Sequence, residues 1–166
     1  RVLRAGLGSF ALESDAGARD SALARSTTDF GCGRARYSYS SSFRMTRVLH
    51  VDDDPFFRGI MRRALEGEGF QVIEAEDGEE GMRRAKEGDI DMILLDIRMP
   101  RQDGFETLHL LKDTPETWSV PVCMCSSLGS KEDMSYCFEK GASEYFVKGH
   151  QNPASVVRRL KTLLTP

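Results

Sequence analysis

From Val48 onward the chain alternates between two hydrophobic patterns. Short apolar runs, Val48–Val51, Gln71–Ala75, Met92–Leu95, Val120–Cys125 and Tyr145–Val147, predict strands. Each is followed by apolar residues at helical spacing. Phe57, Ile60, Met61, Ala64 and Leu65 recur on one helical face, and Gly67 and Gly69 stop that helix. Met82 and Ala85 predict a shorter helix ending at Gly88. Phe105, Leu108 and Leu111 predict the next, ending before Thr114-Pro115. Met134, Cys137 and Phe138 lead to Gly141, and Val156, Val157, Leu160, Leu163 and Leu164 form the last helix. Asp54-Pro55 and Asn152-Pro153 each place a side-chain acceptor at an N-cap and proline at the first helical position.

Five strand–helix units follow. Apolar strands separated by amphipathic helices predict a parallel sheet covered on both faces. A closed barrel needs eight such units. The expected fold is therefore α/β, an open, doubly wound, five-stranded parallel sheet with five helices.

The first 44 residues behave differently. They are rich in Ser, Gly, Arg and Ala, and their apolar residues keep no period. They hold seven Arg, no Lys and four acids, a net of +3, whereas residues 45–166 hold 16 bases and 22 acids, a net of −6. Such a segment buries too little to offset the entropy of ordering it. Its Arg and Ser without Lys suit a targeting segment, but Glu13, Asp15, Asp20 and Asp29 argue against one. A disordered arm and a non-native extension ahead of Met45 both remain open. The expected division is 1–44 for that segment and 45–166 for the folded domain.

Composition narrows the class. Hydrophobic residues are 40% and charged residues 30%, a globular balance. The longest apolar run, Met92-Ile93-Leu94-Leu95, is far below the roughly 18 residues a spanning helix needs, so no membrane role is expected. The net charge of −3 gives no reason to expect nucleic acid as a partner. Cys32, Cys123, Cys125 and Cys137 show no zinc-ligand pattern. Cys123 and Cys125 alternate on a strand and are expected as small buried hydrophobes of a reducing, cytoplasmic protein.

In an open parallel sheet, function gathers at the carboxyl ends of the strands. Asp52, Asp53 and Asp54 follow the first strand, Asp96 the third, Ser126 and Ser127 the fourth, and Lys148 the fifth. Asp54 is expected as a helix cap only. Asp52, Asp53 and Asp96 crowded together should raise one another's pKa, and a hard divalent cation relieves that repulsion. Mg²⁺ prefers oxygen ligands and one or two carboxylates beside a phosphate. A carboxylate in such a site can be a nucleophile that becomes an aspartyl phosphate. Lys148 could balance the phosphoryl charge and Ser126 could donate to one of its oxygens.

The chain resembles the receiver domain of bacterial two-component response regulators over residues 47–164. The resemblance is carried by Val51-Asp52-Asp53-Asp54-Pro55, by Leu94-Leu95-Asp96-Ile97-Arg98-Met99-Pro100 with Asp103-Gly104 behind it, by Pro121 to Ser127, and by Gly141-Ala142-Ser143-Glu144-Tyr145-Phe146-Val147-Lys148. It implies a flavodoxin-like receiver fold in which Asp96 accepts a phosphoryl group from the histidine of a sensor kinase or phosphotransfer protein. It also implies Mg²⁺ bound by Asp53, Asp96 and the backbone carbonyl of Arg98, with Asp52 acting through a water. Lys148 would pair with the phosphoryl group, Ser126 would move toward it, and Tyr145 would rotate inward as the second switch residue. The signal would leave through the fourth helix, fifth strand and fifth helix to a downstream protein target, with a homodimer as one option.

The resemblance departs at Gly149, where the family carries proline after the lysine. A cis non-proline bond costs about 3–4 kcal/mol, so a trans peptide or a remodelled turn is expected there. Only one helix follows the fifth strand, which predicts a stand-alone receiver that acts by binding proteins. The alternative is a Mg²⁺-dependent phosphohydrolase with an aspartyl-phosphate intermediate. Enzymes resembling haloacid dehalogenases carry a second Asp where Arg98 stands. A flavin binder is ranked last, because Asp52-Asp53-Asp54 would repel a flavin phosphate.

Overall fold

The structure is a computed structural model that describes residues 44–164. The expected arm or extension thus lies outside the described residues, apart from Arg44. The elements run β1 (Arg47–Val51), α1 (Pro55–Gly67), β2 (Gln71–Ala75), α2 (Gly78–Lys86), β3 (Met92–Leu95), α3 (Gly104–Asp113), β4 (Val122–Ser126), α4 (Lys131–Glu139), β5 (Glu144–Val147) and α5 (Pro153–Leu164). These are the five expected units in the expected order. All strand pairs are parallel, and the sheet order is β2-β1-β3-β4-β5.

Local chemistry explains the boundaries. Asp54 Oδ1 accepts from the Phe56 amide at 2.9 Å, and Asn152 Oδ1 accepts from the Ser155 amide at 2.8 Å, so both expected caps form. Asp77, Asp103 and Ser130 cap α2, α3 and α4 in the same way. Strand β4 begins at Val122, later than the apolar run predicts. Pro121 has no N–H to give an interior ladder, and only its carbonyl serves, accepting from Ile93 at 2.9 Å. The strand instead takes in Ser126 and carries it to the edge of the sheet.

Alternation along the strands sends side chains to two cores. Leu49, Val51, Ile93, Leu95, Val122, Met124 and Tyr145 face α2, α3 and α4. Val48, Met92, Leu94, Cys123, Cys125 and Phe146 face α1 and α5. Cys123 and Cys125 are buried there, and burial pushes both thiols up to about 12, as inert hydrophobes should be. On α4 the predicted face is only partly right. Cys137 is buried and Met134 packs beside it, but Phe138 is about half exposed. Adjacent helical residues point about 100° apart, so both cannot face the sheet.

Candidate functional site

The strand order reverses between β1 and β3, and the crevice of an open sheet lies at such a switch point. Val51 pairs with Leu95, so the next residues, Asp52 and Asp96, stand side by side. Their bases are fixed by the last ladder bonds: Asp96 N–H donates to Val51 at 2.9 Å and Asp52 N–H to Ala75 at 3.1 Å. Lys148 N–H donates to the Ser126 carbonyl at 2.8 Å, which places Lys148 at the same edge.

The side chains converge there. Lys148 Nζ lies 2.6 Å from Asp52 Oδ2 and 2.7 Å from Asp96 Oδ2. Asp52 is fully buried and Asp96 is 5% exposed, whereas Asp53 is exposed. Asp52 Oδ1 accepts from the Asp54 amide at 3.0 Å, and Asp96 Oδ1 accepts from the Ile97 amide at 2.6 Å. Carboxylate oxygens of Asp52, Asp53 and Asp96 lie within 4.8 Å of one another. This all-oxygen, acidic donor set fits a hard cation such as Mg²⁺.

Electrostatics correct one expectation. Crowding was expected to raise the carboxylates, but Asp52 is held below its ordinary range. Burial pushes it up; the His50 ring, Lys148 and the Asp54 amide outweigh burial. Lys148 moves the other way. Burial pushes it down, but hydrogen bonds and attraction from Asp52 and Asp96 raise it overall. One ammonium between two carboxylates replaces repulsion with attraction.

The turn after β5 positions this lysine. His150 N–H donates to the Val147 carbonyl at 3.1 Å, and Gly149 has a φ of +85°. Lys148 is not among the residues with positive φ, so this is a type II turn with glycine at its third position. Proline, fixed near −65°, could not take that place. Lys148 reaches both carboxylates from this glycine turn. Its ammonium also sits 4.5 Å from the centre of the Phe57 ring. On the other side, a Cβ at Gly104 would come within 2.1 Å of the Asp96 carbonyl oxygen, so only glycine lets α3 start against the Asp96 backbone.

The remaining expected residues surround this centre. Ser126 is fully buried, and its Oγ accepts from Leu128 N–H at 3.4 Å. The Tyr145 hydroxyl donates to the Leu128 carbonyl at 2.8 Å, and the ring is already turned inward, 8% exposed. Burial pushes the phenol up to about 12. Ser126 and Tyr145 therefore both bind one residue of the β4–α4 loop. Arg98 Nη2 donates to Ser127 Oγ at 2.6 Å. Asp54 is exposed and caps α1.

Two neighbours were not singled out in the sequence. Phe57 appeared only as a core residue of α1, yet its ring lies under Lys148. His50 is fully buried in β1, and neither ring nitrogen has a hydrogen-bond partner. Its Nε2 stands 3.7 Å from Asp52 Oδ2, and its ring meets Phe57 edge-on at 6.1 Å. A buried unsatisfied polar group costs about 1–3 kcal/mol. The available signal was a polar residue within the run Val48-Leu49-His50-Val51, two residues before an acidic pair.

Comparison with known proteins agrees with this geometry. Residues 48–161 match the family model of the response regulator receiver domain. The chain belongs to that family, and its fold is the CheY-like one. The chemotaxis protein CheY of Halobacterium salinarum is 37% identical over 119 residues, covering 72% of this chain and 97% of that protein. The transcriptional regulatory protein ResD of Bacillus subtilis is 36% identical over 119 residues, covering 72% of this chain. The chain spans 48% of ResD, about half its length. A solved CheX–CheY complex with BeF3 and Mg²⁺ from Borrelia burgdorferi superposes with a TM-score of 0.68 at 32% identity, covering 73% of this chain and 90% of that one. Among the described residues, no helix is long and apolar enough to cross a membrane.

Proposed function

We propose that this receiver domain is the phosphoacceptor of a two-component phosphorelay in the cytoplasm, acting with Mg²⁺ on a phosphoryl group delivered by a sensor histidine kinase or phosphotransfer protein. The observation that carries the reading is the Lys148 ammonium shared between Asp52 and Asp96, with Asp53 beside them in the switch-point crevice. That arrangement holds a nucleophilic carboxylate, a counter-charge for a phosphoryl group and an oxygen set for a cation.

In the transfer, an Asp96 carboxylate oxygen forms a bond to phosphorus as the P–N bond of a phosphohistidine breaks. The imidazole leaves with the electron pair of that bond. When bound, Mg²⁺ neutralises phosphoryl oxygens during the transfer. Asp53, Asp96 and the Arg98 backbone carbonyl would hold it, with Asp52 binding through water. Lys148 moves from the carboxylates to a phosphoryl oxygen, and Ser126 Oγ donates to another. Movement of Ser126 draws on the Leu128 loop, which Tyr145 also binds, so the two side chains report the same event. The altered surface is α4, β5 and α5, where Tyr136 and Phe138 are exposed apolar contacts for a downstream protein or a second copy. The domain is a phosphoacceptor rather than an enzyme acting on a separate substrate. The phosphohydrolase alternative gains no support, because position 98 presents a guanidinium bound to Ser127 where a general acid is needed. Residues 1–44 are assigned no part in the chemistry.

The test is incubation with acetyl phosphate, with and without Mg²⁺, followed by mass spectrometry of the acid-stable, hydroxylamine-labile group. Mg²⁺-dependent labelling of Asp96 is expected, with none in Asp96→Asn, whose amide is not a comparable nucleophile. Labelling that persists in Asp96→Asn places the acceptor elsewhere.

A further inference from the structure

We propose that His50 is a reserve donor for Asp52, a positioning residue whose Nε2–H takes over Asp52 Oδ2 when Lys148 leaves it for the phosphoryl group. The proposal rests on the phosphoacceptor reading above and assigns a role to the one buried imidazole beside that site.

Three observations support it. First, among the described residues Asp52 Oδ2 faces two groups within ion-pair distance, Lys148 Nζ at 2.6 Å and His50 Nε2 at 3.7 Å. Asp52 is fully buried, so bulk water cannot replace a departing ammonium. Asp52 Oδ1 keeps the Asp54 amide and a metal-bound water would meet the carboxylate as well, so the His50 N–H is the nearby protein donor left for Oδ2 once the ammonium leaves. Second, His50 already helps hold Asp52 low from 3.7 Å, yet it makes no full hydrogen bond. Both nitrogens lack a partner in a fully buried ring, a state that native interiors rarely keep without a use. The tautomer follows from the geometry. A bare Nε2 lone pair would face the carboxylate and repel it, so the proton sits on Nε2 and points at Oδ2. Third, the ring is under an ångström short of hydrogen-bond reach, and its neighbour can yield. Phe57 meets His50 edge-on and borders a cavity of about 490 Å³ shared with Met61, Cys125, Phe146 and Val156.

The same Phe57 ring lies under Lys148 Nζ at 4.5 Å. Withdrawal of the ammonium toward a phosphoryl group therefore frees the ring from its cation as it frees Asp52. In the resting state the long His50–Asp52 separation is consistent with Lys148 holding Oδ2. In the phosphorylated state the His50 N–H holds the Asp52 carboxylate oriented toward a metal-bound water.

The test uses the full chain with beryllofluoride as the phosphoryl mimic at saturating Mg²⁺. His50→Leu removes the donor at similar size, and His50→Gln keeps an N–H at similar reach. Expected is about tenfold weaker beryllofluoride affinity in His50→Leu, the loss of one charge-assisted hydrogen bond, with most of it restored in His50→Gln. Ligand-free melting of His50→Leu should be unchanged or raised, since an unsatisfied buried polar group has been removed. A purely packing role predicts the reverse, lowered ligand-free melting and equal loss in both variants, and that result overturns the proposal. Equal affinity in His50→Leu and the unaltered protein also overturns it. If the variants fail to fold, ¹⁵N spectra of the unaltered protein decide. The His50 Nε2–H proton should move downfield and gain exchange protection only with Mg²⁺ and beryllofluoride present, and an unchanged signal is a negative result for His50. Unaltered protein that binds no beryllofluoride defeats the phosphoacceptor reading itself, and the His50 role falls with it. Binding without a ring response defeats His50 alone.

Discussion

The two edges of the sheet use the same residue types to opposite ends. At the amino edge, Arg44 pairs with Asp89 and Asp91, and Arg47 with Asp89, mostly in the open: the Arg44 and Asp89 side chains are 51% and 75% exposed. At the carboxyl edge, Asp52 and Asp96 meet Lys148 with side chains only 0%, 6% and 16% exposed. Exposed pairs contribute about 0–1 kcal/mol each, because solvent screens them and ordering opposes them. Buried pairs pay a desolvation cost that their attraction offsets only when the geometry is complete. Apolar residues would hold the carboxyl edge at least as well. Charges retained there are better explained by chemistry than by stability, and charges at the amino edge need no such account.

Removing Lys148 should widen this contrast most. In Lys148→Met, Asp52 and Asp96 lose their shared counter-charge while staying buried. A loss of about 3–5 kcal/mol is expected in urea melts without Mg²⁺, with part restored by Mg²⁺. A loss as small as that of an exposed pair would erase the distinction between the edges.

Acid should separate the edges next. The Asp52 carboxyl is held below its unfolded value, so on acidification the unfolded chain takes up its proton first. The Asp52 contribution is complete above the ordinary aspartate range and is lost as pH falls through the lower, folded value. Lys148 is raised, so its contribution holds at neutral pH and is lost as pH rises through its elevated folded value. Without Mg²⁺, stability should fall at both extremes. In Lys148→Met the acid limb should shrink in part, because the Lys148 contributions to Asp52 are lost while those of the His50 ring and the Asp54 amide remain. Chemical denaturation across pH, done on both proteins, reads this directly.

A metal should act on the carboxyl edge only. Binding to the native state adds about 1.4 kcal/mol at a Mg²⁺ concentration ten times the dissociation constant. Asp53→Ala should lose that gain in thermal melts, since it removes the exposed member of the oxygen set. An undiminished shift in Asp53→Ala would show that the cation stabilises elsewhere.

The smallest effect is expected at the amino edge. A chain starting at Met45 loses Arg44 and its pairs with Asp89 and Asp91, for about 1 kcal/mol or less. Its Mg²⁺ response and Asp96 labelling should match the full chain. A failure to label would give residues 1–44 a role in the site.

Much of this was legible from local pattern. The apolar runs and helical spacings report which residues must be buried, and burial is set by the periods of strand and helix. Asp52, Asp53, Asp96, Ser126 and Lys148 could be placed at strand ends for the same reason. What local pattern missed were consequences of packing. Phe138 matches the spacing of α4 but faces solvent, because Cys137 takes the sheet side. The acidic pattern alone implies mutual repulsion, whereas Lys148, far along the chain, sits between two of the carboxylates. His50 read as one more strand position.

The sequence by itself determined the five strand–helix units, the Asp54 and Asn152 caps and the family, since each depends on neighbours along the chain or on a motif of fixed spacing. The tertiary structure alone decided how charge is shared. The parallel register of β1, β3, β4 and β5 brings Asp52, Asp96, Ser126 and Lys148 to one edge. The Gly149 turn aims the ammonium between the carboxylates, and alternation along β1 turns His50 under Asp52. Distances between residues remote in sequence set electrostatic energies, and only the folded chain fixes those distances.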